Sequence, residues 1–380
     1  MNSYERVVSA LRGEVPDRVP CDLGSSLVTG ITRGAYLDLA EELTGHNREA
    51  TLYDVAQQLA RVDEDILQRL GVDTRALIPN IVRKSPPVER EGEDHFFTDE
   101  WGLRWKRPAG GLYFDVISHP LGGDIDEDDI EDFNWPDPTD ESLIEGLAEK
   151  AERFRRDGRA VMLESLCAGI FEMCCRMRGT EQFCMDLLLT PSLACALMDK
   201  FVELKVKFYE MAAAHLSGHV QFIREGDDVA GQESLIISPD TYRQHLKPRH
   251  ARIFEAQRSL FDEPFFVFFH SDGAVRELIP DFIEAGVDVL NPVQTNAKDM
   301  DPGGLKEEFG SDIAFWGAAV DPPVLTRGTP EEIQDQVREH VRALAPGGGY
   351  LFGAVHNIQD DVPAENILAM WEAFEEVRTS

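Results

Sequence analysis

Residues 265–294 read FFVFFHSDGAVRELIPDFIEAGVDVLNPVQ, and this stretch contains the pattern that decides the fold. Two runs rich in apolar residues, FFVFFHSDG at 265–273 and VDVLNPVQ at 287–294, flank a stretch of helix-like sequence. Runs that are nearly continuously apolar, rather than alternating, are typical of parallel strands covered by helices on both faces. The stretch therefore predicts a strand–helix–strand unit with parallel strands.

The same unit recurs along the whole chain. Helix-start signals follow the runs, for example Ser238 before Pro239 and Thr329 before Pro330. The apolar runs lie at residues 19–25, 74–80, 160–165, 220–228, 265–273, 287–294, 313–320 and 349–356. Eight strands with crossover helices predict an α/β fold, a single (β/α)8 barrel of the TIM type. A doubly wound sheet stays open as an alternative, because the order of strands cannot be read from the sequence.

One segment interrupts this alternation. Residues 96–122 predict an antiparallel β-hairpin that turns at Pro108–Gly111. The acidic stretch that follows predicts a surface loop, and no long linker or internal repeat divides the chain. We therefore expect residues 1–380 to form one domain, with the hairpin as an excursion outside the barrel.

Composition excludes several classes of protein. The chain has 380 residues and a net charge of −33, from 70 acidic and 37 basic side chains. A field of this sign repels nucleic acid and anionic membranes, so neither is an expected partner. No apolar run approaches the roughly 18 residues of a transmembrane helix, and residues 1–18 lack the order of a signal peptide, which predicts a cytoplasmic protein. The six cysteines contain no CxxC pair and predict buried thiols.

Polar side chains follow the predicted strands, at the points where the strands end. In a TIM barrel the carboxyl ends of the strands meet at one face, and the active site lies there. The polar residues at these ends are Asn80, Glu164, Glu225, Asp227, Asp228, His270, Asp272, Asn291, Gln294 and His356. Their number predicts a functional site at this face, since not all of them can be core residues.

The most specific local feature is the sequence His270–Ser271–Asp272 at the end of an apolar strand. Residues two apart on a strand project from the same face, so the imidazole and the carboxylate can point into one cavity. Together with His356 they form a set of two histidines and one carboxylate, which suits Zn(II) or Fe(II). The alternative is a hydrogen-bonded His–Asp pair without a metal, because the HxD pattern is common.

A second feature is the charged stretch from Arg224 to Asp228. Charges packed this closely must be paired, bind a ligand or face solvent. The stretch is open to interpretation as a solvated turn, a substrate-binding loop or a further metal ligand. The motifs of phosphate-binding loops and of the nucleophile elbow are absent from the sequence.

Several long segments together resemble the uroporphyrinogen decarboxylase superfamily. They are ERVVSALRGEVPDRVP at 5–20, DEWGLRW at 99–105, DDVAGQESLIISPDTYRQHLKPRH at 227–250, FFHSDGAVRELIPDFIEAGVDVLNPVQ at 268–294 and GGGYLFGAVHNIQDDVPAENILAMWEAF at 347–374. The resemblance covers nearly the whole chain. It implies a single (β/α)8 barrel with its site at the carboxyl ends of the strands.

The superfamily contains two kinds of enzyme. The decarboxylase acts without a metal and has an arginine-rich signature of the type RQAGRY just after its first strand, where this chain reads DLGSSLVTGITRGAY at 22–36. The other kind, corrinoid-dependent methyltransferases, includes members that hold zinc with a His-x-Cys pair and a later Cys. His270 keeps the histidine, Asp272 stands at the first cysteine position and His356 stands near the second. The resemblance therefore implies a divalent metal, zinc by preference. Glu225 or Glu164, which end neighbouring predicted strands, is the candidate for a fourth ligand.

The changed ligands point to an oxygen leaving group. Zn(II) with two histidines and one aspartate carries a formal charge of about +1, which makes it a better Lewis acid toward oxygen than a neutral thiolate site. We expect a methyltransferase that demethylates a small compound, a phenyl methyl ether, onto the cobalt of a separate corrinoid protein. If the chain forms an oligomer, we expect a homodimer. Two alternatives stay open: a metal-free decarboxylase of the uroporphyrinogen type, and a non-catalytic barrel that binds a small molecule.

The remaining polar residues are expected to contact the substrate. Asn80, Asn291 and Gln294 would orient it by hydrogen bonds, and Glu164, Asp227 and Asp228 would bind polar groups or cap the loop. Trp316 or Phe269 would either bound an aromatic pocket or pack in the core of the barrel. A wide, wet mouth is expected, since it must admit a partner protein.

Overall fold

A computed structural model of the protein describes residues 1–80 and 88–379. In chain order the strands are β1 Leu52–Asp54, β2 Leu59–Ala60, β3 Thr74–Leu77, β4 Glu89–Glu91, β5 Asp94–Thr98, β6 Arg104–Arg107, β7 Asp115–Ser118, β8 Ala160–Glu164, β9 Phe222–Gly226, β10 Phe266–His270, β11 Val289–Asn291, β12 Ala314–Ala318 and β13 Tyr350–Gly353. The helices are α1 Ser3–Leu11, α2 Arg33–Thr44, α3 Glu64–Arg69, α4 Glu127–Asp132, α5 Leu147–Arg156, α6 Ile170–Arg178, α7 Thr180–Leu189, α8 Pro191–Leu216, α9 Pro239–Thr241, α10 Lys247–Leu260, α11 Ile279–Ala285, α12 Pro302–Phe309, α13 Pro322–Arg327, α14 Pro330–Leu344 and α15 Ala364–Val377. A π-helical turn, Tyr242–Leu246, joins α9 to α10.

Seven of these strands form one curled parallel sheet in the order β13–β12–β11–β10–β9–β8–β3. Apart from the step from β3 to β8, each strand neighbours the next one along the chain, as in a TIM-type barrel and unlike a doubly wound sheet. The predicted fold class is therefore confirmed. Seven of the eight apolar runs identified in the sequence contain these strands.

The eighth run, residues 19–25, is reduced to a single bridge rather than a strand. Cys21 forms a parallel bridge with Phe352 of β13, and its carbonyl oxygen accepts a hydrogen bond from the backbone N–H of Asp73 at 2.9 Å, next to β3. The segment around Cys21 thus spans the gap between the two outer strands of the sheet.

The interior of the curled sheet has an apolar floor. The inward-facing side chains form one buried cluster with helix α1, which covers the amino-terminal end of the strands. Its members include Val7, Val8, Met162, Phe222, Phe268, Val289, Trp316 and Leu351. Above this floor the inward positions become polar, with Glu164 on β8, Arg224 on β9 and His270 on β10. The alternation of the strands therefore places an ionisable layer at their carboxyl ends.

The excursion after β3 is larger than the predicted hairpin. Strands β6 and β7 pair antiparallel on either side of the expected turn at Pro108–Gly111, and β5 and β4 extend them to a four-stranded antiparallel sheet. One face of this sheet packs Phe97, Trp105 and Phe114 into the main core. Across residues 1–80 and 88–379, no helix has both the length and the hydropathy needed to cross a bilayer.

Candidate functional site

His270 ends β10 on the inward face of the sheet. Phe266 and Phe268 precede it on the same face and pack in the apolar floor, whereas Phe269 points outward and packs against Phe254 and Phe282. The expectation that Phe269 bounds a substrate pocket is therefore wrong, because odd and even positions of the strand face opposite sides.

His270, Asp272 and His356 come together at the mouth of the barrel. Each offers one ligand atom, and these atoms all lie within 4.8 Å of one another. The Nε2 atom of each histidine lies 3.7 Å from Oδ2 of Asp272, and the two imidazole rings are 5.4 Å apart between centroids. His270 and Asp272, at the end of β10 and in the loop after it, thus lie next to His356, which follows β13.

The orientation of His270 is fixed by Asn291, which is opposite it on β11. The Asn291 side-chain amide donates from Nδ2 to the carbonyl oxygen of Trp316 at 3.0 Å, so its Oδ1 faces Nδ1 of His270 at 2.7 Å. Nδ1 of His270 must then carry the proton and donate it. Nε2, the atom that faces Asp272, is therefore the ring nitrogen that gives up its proton when the imidazole becomes neutral. Asn291 acts through His270 rather than on a substrate, which corrects its expected role.

The charges of the cluster are strongly coupled. Burial lowers the pKa of His270, but the carboxylates of Asp272 and Asp228 outweigh this effect and raise that pKa to about 9. Burial raises the pKa of Asp272, and the two histidines reverse the shift so that its pKa lies below the usual value. Burial lowers the pKa of His356, which the nearby Asp272 opposes only in part. Asp272 therefore remains ionised beside two nitrogen donors.

The geometry of these donors fits a divalent metal. A separation of 3.7 Å between Nε2 and Oδ2 is too long for a hydrogen bond. It is close to the roughly 3.4 Å between two ligand atoms that each lie about 2.1 Å from a tetrahedral zinc ion. In addition, Oδ1 of Asp272 is buried without a hydrogen-bond partner among the described residues. A set of two imidazoles and a carboxylate is one that zinc and iron(II) accept.

The loop that carries Asp272 is held by its neighbours. Oδ1 of Asp228 accepts from the backbone N–H of Asp272 at 2.9 Å, and Oε1 of Gln294 accepts from that of Gly273 at 2.6 Å. Asp228 also lies 3.8 Å from Nε2 of His270. Gln294 thus supports the loop, whereas sequence analysis expected it to orient the substrate.

Glu225 does not join the cluster. Its position on β9 points outward, and both carboxylate oxygens lie within 3.2 Å of Nζ of Lys205 on α8. Ser165 and Tyr209 also donate to it. Burial raises the pKa of Glu225 and the ammonium of Lys205 opposes the shift. The prediction that Glu225 is a metal ligand is corrected by this placement, because it is the other face of the sheet that carries His270, Asp272 and His356.

Asp227 is also committed to the fold. Its side chain is fully buried, and it accepts hydrogen bonds from the backbone N–H groups of Phe171 at 2.8 Å and Glu172 at 2.9 Å, at the start of α6. Nε2 of His250 lies 3.0 Å away on the same carboxylate. Asp227 therefore caps a helix, which favours a structural role over the alternative of a contact with substrate.

Three other predicted residues have structural partners. Glu164 faces inward and forms an ion pair with Arg224 at 2.5 Å, so its carboxylate is not free to bind a metal. Asn80 donates to the carbonyl oxygens of Ser142 and Glu145 at 3.1 Å. Trp316 packs in the apolar floor against Phe222 and Phe268. Of the three, Glu164 alone lines the cavity described next.

A cavity of about 460 Å³ opens next to His270 and His356. Its outer wall comes from the antiparallel sheet, where Phe97 stacks on Trp105 at 5.7 Å and meets the edge of Phe114 at 5.0 Å. Sequence analysis missed this wall because it treated residues 96–122 as an excursion away from the site. The aromatic residues are visible in DHFFT and RWKR, but no local pattern places them next to the strand ends.

Glu172 and Arg176 of α6 also line the cavity and were missed. They form an ion pair at 3.1 Å. Burial and the nearby carboxylate of Asp228 raise the pKa of Glu172 to about 7. The guanidinium of Arg176 lies 5.5 Å from the centroid of the Trp105 ring. Both residues lie on α6, beyond the carboxyl end of β8. A search restricted to the last residues of the strands therefore does not find them.

Comparisons with known proteins agree with this architecture. Residues 120–377 match the family model described as uroporphyrinogen decarboxylase (URO-D). A solved structure of a methyltransferase from Methanosarcina mazei superposes with a TM-score of 0.67 at 17% identity and covers 99% of each chain. At that identity the superposition shows the shared fold.

Curated relatives include both kinds of activity. A methylated-thiol–coenzyme M methyltransferase of Methanosarcina mazei is 23% identical over 254 residues, which are 65% of this chain and 62% of that protein. The chain therefore spans about three fifths of the length of that relative. A uroporphyrinogen decarboxylase of Pelobacter propionicus is 26% identical over 218 residues, 55% of this chain and 58% of that protein.

Proposed function

The chain belongs to the uroporphyrinogen decarboxylase family, and from this premise we propose that it is a methyltransferase of that family. It moves a methyl group from a small methylated compound, a phenyl methyl ether, to the cobalt of a separate corrinoid protein. The observation that carries the proposal is the convergence of His270, Asp272 and His356, with ligand atoms within 4.8 Å of one another, beside an aromatic-walled cavity.

His270, Asp272 and His356 would hold one divalent metal, zinc by preference. When bound, such an ion supplies Lewis acidity toward the oxygen that leaves as the methyl–oxygen bond breaks. In this transfer the electron pair of that bond stays on oxygen, and the methyl carbon gains a bond to the reduced cobalt. Asn291 holds the proton on Nδ1 of His270, so that Nε2 is the nitrogen available to a metal once the imidazole is neutral, and Asp228 holds the backbone of Asp272 in place. Phe97 and Trp105 provide the apolar wall against which an aromatic ring can pack.

The charge of the cavity supports methyl transfer over porphyrinogen decarboxylation. Among residues 1–80 and 88–379, seven carboxylates and two guanidinium groups line it, those of Arg176 and Arg224. Arg224 is paired with Glu164 and Arg176 with Glu172. A substrate with many carboxylates would meet repulsion here, since neither of these two arginines is free to offset it.

The test is a direct assay of methyl transfer. Zinc-loaded protein is mixed with a reduced corrinoid protein and a panel of methoxylated aromatics, methylated thiols, betaines and methylamines, and methyl–Co(III) is followed by absorbance. We expect methyl–Co(III) from a methoxylated aromatic, and loss of the signal in His270→Ala. His215→Ala is the matched control, because His215 is exposed on α8. Absence of transfer from every donor, or release of carbon dioxide from a carboxylated substrate instead, would refute the proposal.

A further inference from the structure

Arg224 lies inside the barrel, one step below the level of His270. On β9 it is opposite Glu164 of β8 and Phe268 of β10, and Gly226, two residues later, is opposite His270. Residues two apart on a strand face the same side, so Arg224 and Gly226 both point inward. Because Gly226 has no side chain, no side chain of β9 stands between Arg224 and the level of His270. Both Arg224 and His270 line the cavity.

The charge of Arg224 is balanced by Glu164. Nε and Nη2 of the guanidinium both lie 2.5 Å from Oε1 of Glu164. Glu164 also accepts from the backbone N–H groups of Leu27 at 2.8 Å and Ser165 at 3.0 Å. Burial lowers the pKa of Arg224, but Glu164 outweighs this effect and raises that pKa above its usual value. The guanidinium therefore stays charged and acts as a hydrogen-bond donor, not as an acid.

The pair leaves one nitrogen of the guanidinium unused. A guanidinium has five N–H donors, of which two belong to Nη1. Among residues 1–80 and 88–379, Nη1 of Arg224 has no hydrogen-bond acceptor, since Nε and Nη2 make the contacts to Glu164. The side chain is only 5% exposed, and a buried donor without an acceptor is costly. Nη1 thus needs an acceptor that water or a ligand in the cavity must supply.

The charges around Arg224 select the kind of acceptor. Because Glu164 balances the guanidinium, a ligand with a full negative charge would gain little net attraction and would meet the other carboxylates of the cavity. A neutral oxygen atom avoids this repulsion. An ether oxygen has two lone pairs, so it can face a metal held by His270, Asp272 and His356 and still accept a hydrogen bond from Nη1.

We propose that Nη1 of Arg224 donates a hydrogen bond to the oxygen atom from which the methyl group leaves, which makes Arg224 a catalytic residue. This inference rests on the proposed function and adds a residue to it. As the methyl carbon forms its bond to cobalt, the electron pair of the broken methyl–oxygen bond stays on oxygen. The negative charge that develops there strengthens the hydrogen bond in the transition state, and no proton leaves Arg224.

Binding of a nitrophenol to zinc-loaded protein, without a corrinoid partner, tests this hydrogen bond. 4-Nitrophenol has the phenolic oxygen that remains after demethylation, and its absorbance distinguishes the phenol from the phenolate. We expect the acidity of the bound ligand to fall about tenfold in Arg224→Lys, because lysine keeps a charge beside Glu164 but has one nitrogen in place of three. Equal acidity in both proteins would mean that Nη1 contacts only water, and it would overturn the inference.

Controls separate the hydrogen bond from effects on the metal and on folding. Arg252→Lys is the matched control, since Arg252 is paired with Asp199 at 3.0 Å, is 60% exposed and does not line the cavity. Zinc content should stay at about one ion per chain in every variant. Loss of zinc in Arg224→Lys would assign the effect to the metal site and overturn the inference. If Arg224→Lys does not fold, Arg224→Met with Glu164→Gln removes both charges together and gives the same readout.

Methyl transfer from para-substituted anisoles separates a catalytic role from a structural one. In Arg224→Lys, transfer from 4-methylanisole, which has a poor leaving group, should fall about 100-fold, as when one oxyanion donor is removed. Transfer from 4-nitroanisole should fall less than about fivefold, because the nitro group already spreads the charge that the donor would stabilise. KM should change little for either donor, since the contact strengthens in the transition state. An equal loss with both anisoles would indicate a structural role and overturn the inference.

This inference and the proposed function can fail separately. Ionisation of nitrophenol that depends on Arg224, without methyl transfer from any donor, would refute the reaction and keep Arg224 as a donor to a bound oxygen. Methyl transfer with the same dependence on the leaving group in the natural protein and in Arg224→Lys would keep the reaction and refute the role of Arg224.

Discussion

The ends of β9 and β10 carry two charged clusters that are built in opposite ways. On the outward side of β9, Glu225 is surrounded by Lys205, Ser165 and Tyr209, all within hydrogen-bonding distance. On the inward side of β10, His270 and Asp272 face each other at 3.7 Å without a hydrogen bond between Nε2 and Oδ2. The protein itself supplies hydrogen-bond partners for the first cluster, which we call the closed cluster. In the second, which we call the open cluster, a carboxylate oxygen of Asp272 has no hydrogen-bond partner among the described residues.

This difference separates structural acids from acids that can bind a ligand. A buried carboxylate whose oxygens already have donors gains little from a further partner, since it would have to give up bonds. A buried oxygen without a donor is costly, and a ligand that satisfies it recovers that cost. By this criterion Asp272 belongs to a binding site and Glu225 belongs to the core.

The largest effect is expected from His356→Ala. Removal of one of the three proposed ligands should reduce the zinc content of the purified protein from about one ion per chain to less than about a tenth. Glu225→Gln should retain zinc, because Glu225 lies on the other face of the sheet. Metal content is measured by elemental analysis after zinc-supplemented expression. Equal zinc in both variants would abolish the contrast between the two clusters.

The next effect concerns the closed cluster. Lys205 is fully buried, so Lys205→Met would leave the carboxylate of Glu225 without its cation. We expect the free energy of unfolding to fall by about 3–5 kcal/mol, as for other broken buried pairs. The double variant Lys205→Met with Glu225→Leu should regain a large part of this loss. Denaturant unfolding measures the stability, and zinc content should not change; a loss below about 1 kcal/mol would argue against a structural role.

The barrel could be predicted because its signal is repeated and local. Continuous apolar runs are needed wherever strands are buried on both faces, and eight such runs with crossover helices leave few alternatives. The convergence of His270 and His356 also follows from topology, since the carboxyl ends of parallel strands meet at one face. Residues 19–25 form only a bridge at Cys21, a difference that hydropathy alone does not reveal.

The parts of the site that sequence reasoning misplaced depend on strand phase and on distant partners. Phe222 and Arg224 face inward, so Glu225 must face outward, but the phase of β9 is not evident from the charged run. The partner Lys205 lies 20 residues earlier on α8. Likewise, the aromatic wall depends on how the four-stranded sheet folds back over the barrel, which is a tertiary contact without a local signal.

Asn291→Leu probes how the open cluster is held. The variant removes the acceptor from Nδ1 of His270 and leaves the carbonyl of Trp316 without its donor. Loss of an outer hydrogen-bond partner typically lowers metal affinity about 10–100-fold. Competition with a chelator measures the zinc dissociation constant. Gln294→Leu, which removes a bond to the neighbouring Gly273, is the comparison variant and should have a smaller effect.

The smallest effect on zinc affinity is expected from Asp227→Asn. Asp227 lies near the open cluster, and this variant tests whether its carboxylate has a structural role alone. The carboxylate accepts from two backbone N–H groups at the start of α6 and from His250. An asparagine keeps one acceptor oxygen and places its amide NH2, itself a donor, against the remaining donors, so a loss of about 1–2 kcal/mol in unfolding free energy is expected, as for a removed helix cap. Zinc affinity should stay within about twofold, because none of the hydrogen bonds of the Asp227 carboxylate reaches His270, Asp272 or His356. A fall in zinc affinity as large as that of Asn291→Leu, at unchanged stability, would place Asp227 with the open cluster. The boundary between the two clusters would then run through α6 rather than through the faces of β9.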